Sequence, residues 1–347
     1  MTSSDAQPAI RCRSLYKVFG LGADAQAKID GGGLDQAFLD ANGLVAAVND
    51  VSLEVYSGEI LVVMGLSGSG KSTLVRCLSR LIEATSGVVE IEGRDLLAMN
   101  ERDLVDMRRN KMGMVFQNFA LLPHKTVFEN IAFPLQMRGM KRREFVERAN
   151  AMIELVGLNG KENSFPRELS GGQQQRVGIA RSLAAEPDIW FLDEPFSALD
   201  PLIRKEMQDE FLRLQALLHK TIIFITHDFD EALRLADRIA IMFNGRIEQI
   251  GTPEDIVLNP ATEYVTKFTN DVPREKVLTA GSVMDGMREG DDESATPVNV
   301  GDRIDGIANY ILGQDKPVPV VDDQGRRVGM LHRDRVLDIL FPKTAGS

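Results

Sequence analysis

The stretch Gly65-Leu66-Ser67-Gly68-Ser69-Gly70-Lys71-Ser72-Thr73 decides the fold of this chain. It follows the apolar run Ile60-Leu61-Val62-Val63-Met64 and precedes apolar residues at helical spacing, from Leu74 to Leu81. A strand, a glycine-rich turn and a helix N-terminus in this order are the context of a phosphate-binding loop. The glycines let successive backbone N–H groups curve around an anion, and the helix dipole adds partial positive charge. The sequence therefore predicts a nucleotide site here, followed by a helix from Lys71 to about Ala84.

Two side chains of this loop predict how a nucleotide is held. Lys71 can reach the β- and γ-phosphates, and the Ser72 hydroxyl can bind Mg²⁺. The alternative is a chance match, which glycines, lysine and serine at fixed spacing produce in roughly one chain in a hundred of this length. The flanking strand and helix favour the nucleotide site over chance.

Charge and cysteine content narrow the class of protein. The chain has 40 lysine and arginine residues against 51 aspartate and glutamate residues, a net charge of -11. Phosphate contacts need a basic surface, so nucleic acid is not expected as the main partner. Two cysteines, Cys12 and Cys77, fit a reducing compartment. We expect a soluble, cytosolic chain, because its start lacks a signal peptide and its apolar runs are strand-sized.

Composition and periodicity predict two domains in 347 residues. We place an α/β domain at residues 1–270 and a smaller α/β unit at 276–343. In the first, a strand at 9–19 precedes an insertion at about 20–44 with three consecutive glycines. Asn244-Gly245 predicts a hairpin near the end of this domain. In the second, an acidic loop at 289–293 precedes a helix, two strands and a last helix.

Polar side chains follow three further apolar strands at their carboxyl ends. These side chains are Gln117, Asp193 with Glu194, and His227. Ligands of open parallel sheets bind outside such ends, so we expect these residues to face one nucleotide. Asp193 is expected to bind Mg²⁺, with a helix-capping role as the alternative, and Glu194 to orient or deprotonate the attacking water. For Glu194 the alternative is a solvated surface residue, and for His227 it is a local hydrogen bond at a strand end. For Gln117 the alternative is an ordinary glutamine, which is common at strand ends.

The segment Leu169-Ser170-Gly171-Gly172-Gln173 begins another predicted helix. Ser170 and Gln173 fit a capping box. Two glycines in the first turn cost about 1 kcal/mol each relative to alanine. That cost is explained if bare N–H groups must approach an anion closely. Both interpretations stay open from these residues alone.

Together these segments resemble an ABC transporter ATP-binding subunit over nearly all of residues 9–260. The phosphate loop resembles the family's Walker A motif, Leu169 to Arg176 its signature, and Ile189 to Glu194 its Walker B motif. Gln117 matches the Q-loop, Ser197-Ala198-Leu199-Asp200 the D-loop, and His227 the switch histidine. Phe19 resembles the aromatic residue that stacks on adenine.

The resemblance implies an α/β P-loop NTPase fold with a RecA-like core, an antiparallel β subdomain and a helical subdomain at about 95–175. It implies ATP and Mg²⁺ as cofactors. Glu194 and His227 would be catalytic, and Ser72, Gln117 and Asp193 would hold the metal. The residues implied to bind the nucleotide are Phe19, Gly65, Leu66, Ser67, Gly68, Ser69, Gly70, Lys71, Ser72, Thr73, Gln117, Ser170, Gly171, Gly172, Gln173 and Asp200.

The resemblance also implies partners. Two ATPase subunits would pair head-to-tail, so that Ser170, Gly171 and Gly172 of one contact the γ-phosphate held by the other. Integral membrane permease subunits would dock near Phe116 to His124, and a periplasmic or extracellular binding protein would deliver the solute. The chain would then lie at the cytoplasmic face of the inner (plasma) membrane as a peripheral protein.

A narrower resemblance concerns the solute. The segments Gly65–Thr73, Phe116–Pro123 and Phe196–Asp209 are similar to the ATPase of glycine betaine, proline and choline importers. The tail resembles a CBS motif through Ala280–Met284 and Val320–Leu331. Relatives often carry a tandem pair of these motifs, whereas one is recognised here. Ligand or ionic-strength sensing and plain dimerisation both stay open as roles of this CBS-like domain.

Two other functions compete with import of a quaternary amine. A non-transport ABC ATPase acting on ribosomes or DNA would carry two cassettes or a long inserted coiled coil, and the sequence shows neither. A regulatory module that only senses nucleotide would not need Glu194 and His227. The sequence therefore favours an ATP-hydrolysing transport subunit.

Overall fold

The computed structural model describes residues 7–20, 36–117, 119–270, 272–286 and 295–341. Most of the predicted insertion, residues 21–35 with the three glycines, and the acidic loop at 289–293 lie outside the described residues. The chain divides into two compact units, Met1–Ile250 and Gly251–Ser347. This division falls before the helices at 253–269, which the sequence interpretation assigned to the first domain.

A six-stranded sheet forms the centre of the first unit as far as it is described, in the order β10-β9-β3-β8-β7-β6. Its strands are β3 (Ile60–Met64), β6 (Met112–Val115), β7 (Ile189–Asp193), β8 (Thr221–Thr226), β9 (Arg238–Phe243) and β10 (Arg246–Gly251). The neighbours from β9 to β6 pair in parallel. Strands β3, β7 and β8 are buried along their whole length, which is why they appear in the sequence as continuous apolar runs. Parallel pairing brings their carboxyl ends to one edge of the sheet.

A second, antiparallel sheet has the order β2-β1-β4-β5. Its strands are β1 (Ile10–Phe19), β2 (Val45–Val55), β4 (Ser86–Ile91) and β5 (Arg94–Asp95), and helix α1 (Gln36–Ala41) precedes β2. Helix α2 (Lys71–Leu78) packs against strands of both sheets. Leu74, Val75 and Leu78 of this helix are fully buried in the shared core.

Helix α2 ends earlier than its apolar pattern predicts. The structure ends it at Leu78 instead of about Ala84, and Leu81, which suggested a further turn, is 48% exposed. Arg80 takes a left-handed φ of 51°, which breaks the helix. Arg108 donates to the carbonyls of Ser79 and Arg80, so the backbone groups freed there are bonded by a residue distant in sequence.

Helices make up most of the segment between β5 and β7. They are α3 (Glu101–Lys111), α4 (Val127–Met137), α5 (Arg142–Leu155) and α6 (Gly171–Ala184), with a 3-10 turn at Pro166–Glu168. Helices α4, α5 and α6 pack on one another. Helix α7 (Pro201–Leu218) and helix α8 (Phe229–Leu235) flank β8 along the chain.

The second unit has its own core and a small sheet in the order β11-β12-β13. Its elements are α9 (Pro253–Leu258), α10 (Glu263–Thr269), a 3-10 turn at Arg274–Lys276, α11 (Ala280–Val283), β11 (Val298–Asn299), α12 (Ile304–Leu312), β12 (Val318–Val321), β13 (Arg327–Leu331) and α13 (Arg333–Leu340). Strand β12 pairs in parallel with β11 and antiparallel with β13. The CBS-like character of this unit stays a prediction. None of the helices in the described part of the chain is both long enough and apolar enough to span a membrane.

Candidate nucleotide-binding site

The phosphate loop connects β3 to α2 and lines a cavity of about 540 Å³. The residues around this cavity are Ala47, Leu66, Ser67, Gly68, Gly70, Lys71, Ser72, Thr73, Gln117, Glu194 and His227. Gly70 is the N-cap of α2, so the free N–H groups of the first helical turn lie at the cavity. Such N–H groups together with the helix dipole form an anion site.

Two glycines of the loop have no room for a side chain. A Cβ on Gly65, at φ 153°, would lie 2.1 Å from the carbonyl oxygen of Met242. A Cβ on Gly70, at φ 102°, would lie 1.9 Å from the carbonyl oxygen of Ala47. Both glycines are therefore required by close backbone approach as well as by their φ angles.

Lys71 lies at the floor of the cavity with 5% of its surface exposed. Its Nζ donates to the carbonyls of Gly65 at 2.8 Å and Leu66 at 3.0 Å. Burial lowers the pKa of Lys71, and the nearby carboxylates of Glu194 and Asp193 oppose that shift. Because its hydrogen bonds go to neutral carbonyls, the ammonium carries a charge that a phosphate can complement.

Ser72 and Asp193 form the second part of the site. The Ser72 hydroxyl donates to Asp193 Oδ1 at 2.8 Å, and Asp193, at the end of β7, is 3% exposed. Arg76 Nη2 lies 3.7 Å from Asp193 Oδ2. A hydroxyl and a carboxylate fit Mg²⁺, which binds proteins through one or two such oxygens and completes its shell with phosphate and water. Among the described residues, no group of three or more histidine, cysteine, aspartate or glutamate side chains is placed to hold a metal.

Glu194 lies between two other strand ends. Its Oε2 accepts a hydrogen bond from Gln117 Nε2 at 3.2 Å and lies 3.2 Å from His227 Nδ1. Its backbone N–H donates to the carbonyl of Ile225 on β8. Glu194 also takes a left-handed φ of 45°, a conformation that costs a non-glycine residue energy and concentrates at functional sites. The carboxylate thus lies at the edge of the cavity between side chains that follow β6 and β8, where it can accept a proton from water.

The structure brings together the residues predicted at four strand ends. Strands β3, β8, β7 and β6 are consecutive neighbours in the sheet. Gln117, Glu194 and His227 line the same cavity as the loop. Asp193 does not line this cavity but accepts a hydrogen bond from Ser72, which does. Gly65 and Ser69 do not line the cavity. The buried Ser69 hydroxyl has no hydrogen-bond partner among the described residues.

The residues predicted at the start of α6 and α7 lie elsewhere in the subunit. Ser170 and Gln173 form the capping box of α6, with Gln173 N donating to the Ser170 hydroxyl at 3.3 Å. Ser170, Gly172 and Gln173 line a separate cavity of about 270 Å³, and Gly171 lies against Leu199. Asp200 caps α7 by accepting from Ile203 N at 3.1 Å. None of these residues lines the cavity of the phosphate loop.

Phe19 lies at the end of β1, paired with Val45 and 43% exposed. The Lys17 ammonium lies 5.0 Å above its ring. Phe19 does not line the cavity, whereas Ala47, two residues beyond its strand partner, does. The stacking of Phe19 on adenine stays a prediction.

Sequence reasoning missed two residues of the site. Ala47 enters from the antiparallel sheet, and nothing in its own segment signals that approach. Arg76 lies beside Asp193 and is four residues after Ser72 on α2. Residues four apart share a helix face, so this spacing was a usable signal.

The comparisons with known proteins agree with this geometry. A family model described as ABC transporter matches residues 48–197. The trimethylamine N-oxide transport system ATP-binding protein TmoW of Pelagibacter ubique is 60% identical over 338 residues, which are 97% of this chain and 99% of that protein. The glycine betaine transport ATP-binding protein OpuAA of Bacillus subtilis is 52% identical over 284 residues, 81% of this chain and 68% of that protein.

A solved structure is also similar to this chain. It is the dimeric post-hydrolysis state of the ATP-binding cassette MJ0796 bound to ADP and phosphate. Its TM-score is 0.59 at 31% sequence identity, and the match covers 70% of this chain and 98% of that one.

Proposed function

Because the chain belongs to the ABC transporter ATP-binding protein family, an ATPase family, we propose that it powers the import of a small methylated amine. The observation that supports this most is the 60% identity to a trimethylamine N-oxide transport protein along 97% of the chain. The glycine betaine relative covers a smaller share of both chains. Trimethylamine N-oxide is therefore the first solute to test, followed by glycine betaine, choline and proline.

In the proposed reaction Lys71 and the free N–H groups of α2 hold the terminal phosphates of ATP. Ser72, Gln117 and Asp193 would hold Mg²⁺, which would supply positive charge to offset that of the phosphate oxygens. Glu194 orients the attacking water and accepts its proton. Gln117 and His227 position Glu194 through the contacts at 3.2 Å. Water attacks the γ-phosphorus, the bond to the bridging oxygen breaks, and ADP and phosphate leave.

We further propose that a second copy completes the site. Ser170, Gly171, Gly172, Gln173 and Asp200 lie outside the phosphate-loop cavity of their own subunit. Gly171 and Gly172 lie in the first turn of α6, where free backbone N–H groups can bind a phosphate. The similar solved cassette is described as dimeric, which supports pairing of two copies. A head-to-tail arrangement is the one that would bring these residues to the phosphate-loop cavity of the other copy.

A groove of about 410 Å³, separate from the phosphate-loop cavity, is the proposed contact for the permease subunits. Its lining includes the apolar side chains of Phe116, Leu122, Phe133 and Met137 and several arginines. It begins next to Gln117, so an occupant can act on the residue that holds Glu194. The solute itself is expected to contact a binding protein and the permease instead of this chain.

The Glu194→Gln variant tests the proposed chemistry. It keeps the size and hydrogen-bonding reach of the side chain but removes the base. We expect ATP binding to stay within about threefold and turnover to fall by at least about a hundredfold, the usual contribution of a general base. The exposed Glu144 on α5 supplies the matched control, since Glu144→Gln should hydrolyse ATP normally. Undiminished turnover in Glu194→Gln would remove Glu194 from its role.

The proposed solute needs a separate measurement. The subunit would be reconstituted with its permease and binding protein in vesicles. ATPase stimulation by trimethylamine N-oxide, glycine betaine, choline and proline would then be compared at low and high salt. Stimulation by a methylated amine supports the proposal, and stimulation by proline alone or by none of the four contradicts the solute class.

A further inference from the structure

Polar side chains link α7 to α8, the helix that begins two residues after His227. Gln208 Nε2 donates to Glu231 Oε1 at 3.0 Å, and Arg234 donates to Gln208 Oε1 at 3.1 Å. Glu231 is only 5% exposed. Arg204, one turn before Gln208, belongs to the same row of α7. A buried polar network of this kind is stable only when its members are bonded, so it restricts two helices to one relative position.

Arg204 joins two segments that carry site residues. Its Nη1 lies 3.4 Å from Asp228 Oδ2, and its Nη2 donates to the carbonyl of Leu199 at 3.2 Å. Leu199 directly precedes Asp200, and Asp228 directly follows His227. The same Asp228 caps α8 by accepting from Glu231 N at 3.2 Å. The guanidinium of Arg204 therefore connects the segment before α7 to Asp228, the N-cap residue of α8.

The chemistry of arginine suits this connection. Its planar fork reaches two acceptors in fixed directions, whereas a lysine ammonium on a flexible stem does not hold that geometry. The Nε of Arg204 is buried without a partner among the described residues. Such a group lowers stability, and its retention needs an explanation other than packing.

We propose that Arg204 is a positioning residue for ATP hydrolysis, which fixes His227 against Glu194 and links its position to Leu199 and Asp200. A second subunit that contacts Asp200 thereby acts on His227 through a single side chain. This inference rests on the proposed roles of Glu194 and His227.

The test compares Arg204→Met and Arg204→Lys with a control from the same interface. Arg234→Met removes the contacts to Gln208 and Asp209 but none to Leu199 or Asp228. We expect Arg204→Met to lower kcat between about tenfold and a hundredfold, the effect of a small misplacement near the chemistry. KM for ATP should stay within about twofold, Arg204→Lys should lie between Arg204→Met and the wild type, and Arg234→Met should keep its kcat.

A double-mutant cycle on kcat separates positioning from packing. Asp228→Asn keeps a capping oxygen for α8 but weakens the contact to Arg204. We expect Arg204→Met to lower kcat much less in the Asp228→Asn background than in the wild type. Additive effects of the two changes would overturn the inference. Equal losses of kcat in Arg204→Met and Arg234→Met at equal thermal midpoints would also overturn it.

The outcome is distinguishable from failure of the proposed function. If Glu194→Gln is inactive while Arg204→Met hydrolyses ATP like the wild type, only the role of Arg204 is wrong. If Glu194→Gln hydrolyses ATP like the wild type, the proposed chemistry itself is wrong.

Discussion

Replacing Gly70 by alanine perturbs the phosphate loop at its tightest point. The added Cβ would lie 1.9 Å from the carbonyl oxygen of Ala47 and 3.0 Å from Cε of Met242. Backbone carbonyls cannot rotate away as a flexible side chain can, so either the loop or β2 must move. Gly68 is the matched control, because it also has a positive φ, 82°, but nothing lies within 4 Å of its Cβ position.

The two variants should differ in stability by the cost of that contact. A left-handed φ costs a residue with a Cβ about 1–2 kcal/mol, and both variants carry this cost. Forcing an extra carbon into a packed site adds about 1–3 kcal/mol, and only Gly70→Ala carries it. We therefore expect a loss of about 2–5 kcal/mol for Gly70→Ala and of about 1–2 kcal/mol for Gly68→Ala.

Trp190 provides the assay. It is the only tryptophan of the chain, and it is 1% exposed in the core of the first unit. Its fluorescence during urea unfolding therefore reports that unit alone, and the midpoint and slope give the free energy of unfolding. Binding of a fluorescent ATP analogue should weaken more in Gly70→Ala than in Gly68→Ala. Equal stability of the two variants would refute the close approach of Gly70 to Ala47.

Three further predictions follow from charged and buried groups. Asp193→Asn removes the anionic ligand beside Ser72, so it should raise the Mg²⁺ concentration needed for half-maximal ATPase activity by at least about tenfold. A titration with Mg²⁺ measures this, and an unchanged requirement would contradict the assignment of Asp193 as a metal ligand. Burial raises the pKa of Glu231, so the folded state binds its proton more tightly and stability should fall as pH rises above about 4.3 towards the folded pKa. In Glu231→Gln the urea midpoint should fall less with rising pH than in the wild type. An identical dependence of the midpoint on pH in both proteins would contradict the raised pKa of Glu231. Burial raises the pKa of Cys12 to about 12 and of Cys77 to about 11, so a thiol reagent should label neither cysteine until urea unfolds the first unit, and fast labelling of the native protein would contradict their burial.

The features that local sequence determines were predictable. Strands β3 and β8 are buried on both faces, so their apolar runs are continuous and identify them without a structure. The phosphate loop contains glycines because its own backbone takes positive φ values there. The hairpin turn at Asn244-Gly245 has the two positive φ values that this residue pair favours. Gln117, Glu194 and His227 followed from one topological rule, that parallel strands end at the same edge.

Features created by tertiary contacts were not predictable. Ala47 approaches the loop from a different sheet, and the early end of α2 depends on Arg108, a residue of α3. The bond from Arg204 to Leu199 and Asp228 likewise joins two loops through a helix whose sequence shows only an apolar stripe. Ala47, Arg108 and Asp228 are distant along the chain from the residues they contact, and periodicity carries no information about such partners.

The central claim is that the sheet edge holds ATP and that a second subunit covers it. The most direct measurement is an experimental structure of the Glu194→Gln variant trapped with ATP and Mg²⁺. We expect the terminal phosphate beside Lys71 and Ser72, with Ser170 of the partner subunit against it. A nucleotide distant from residue 194 and His227, or one held by a lone subunit in every trapped state, would contradict the account.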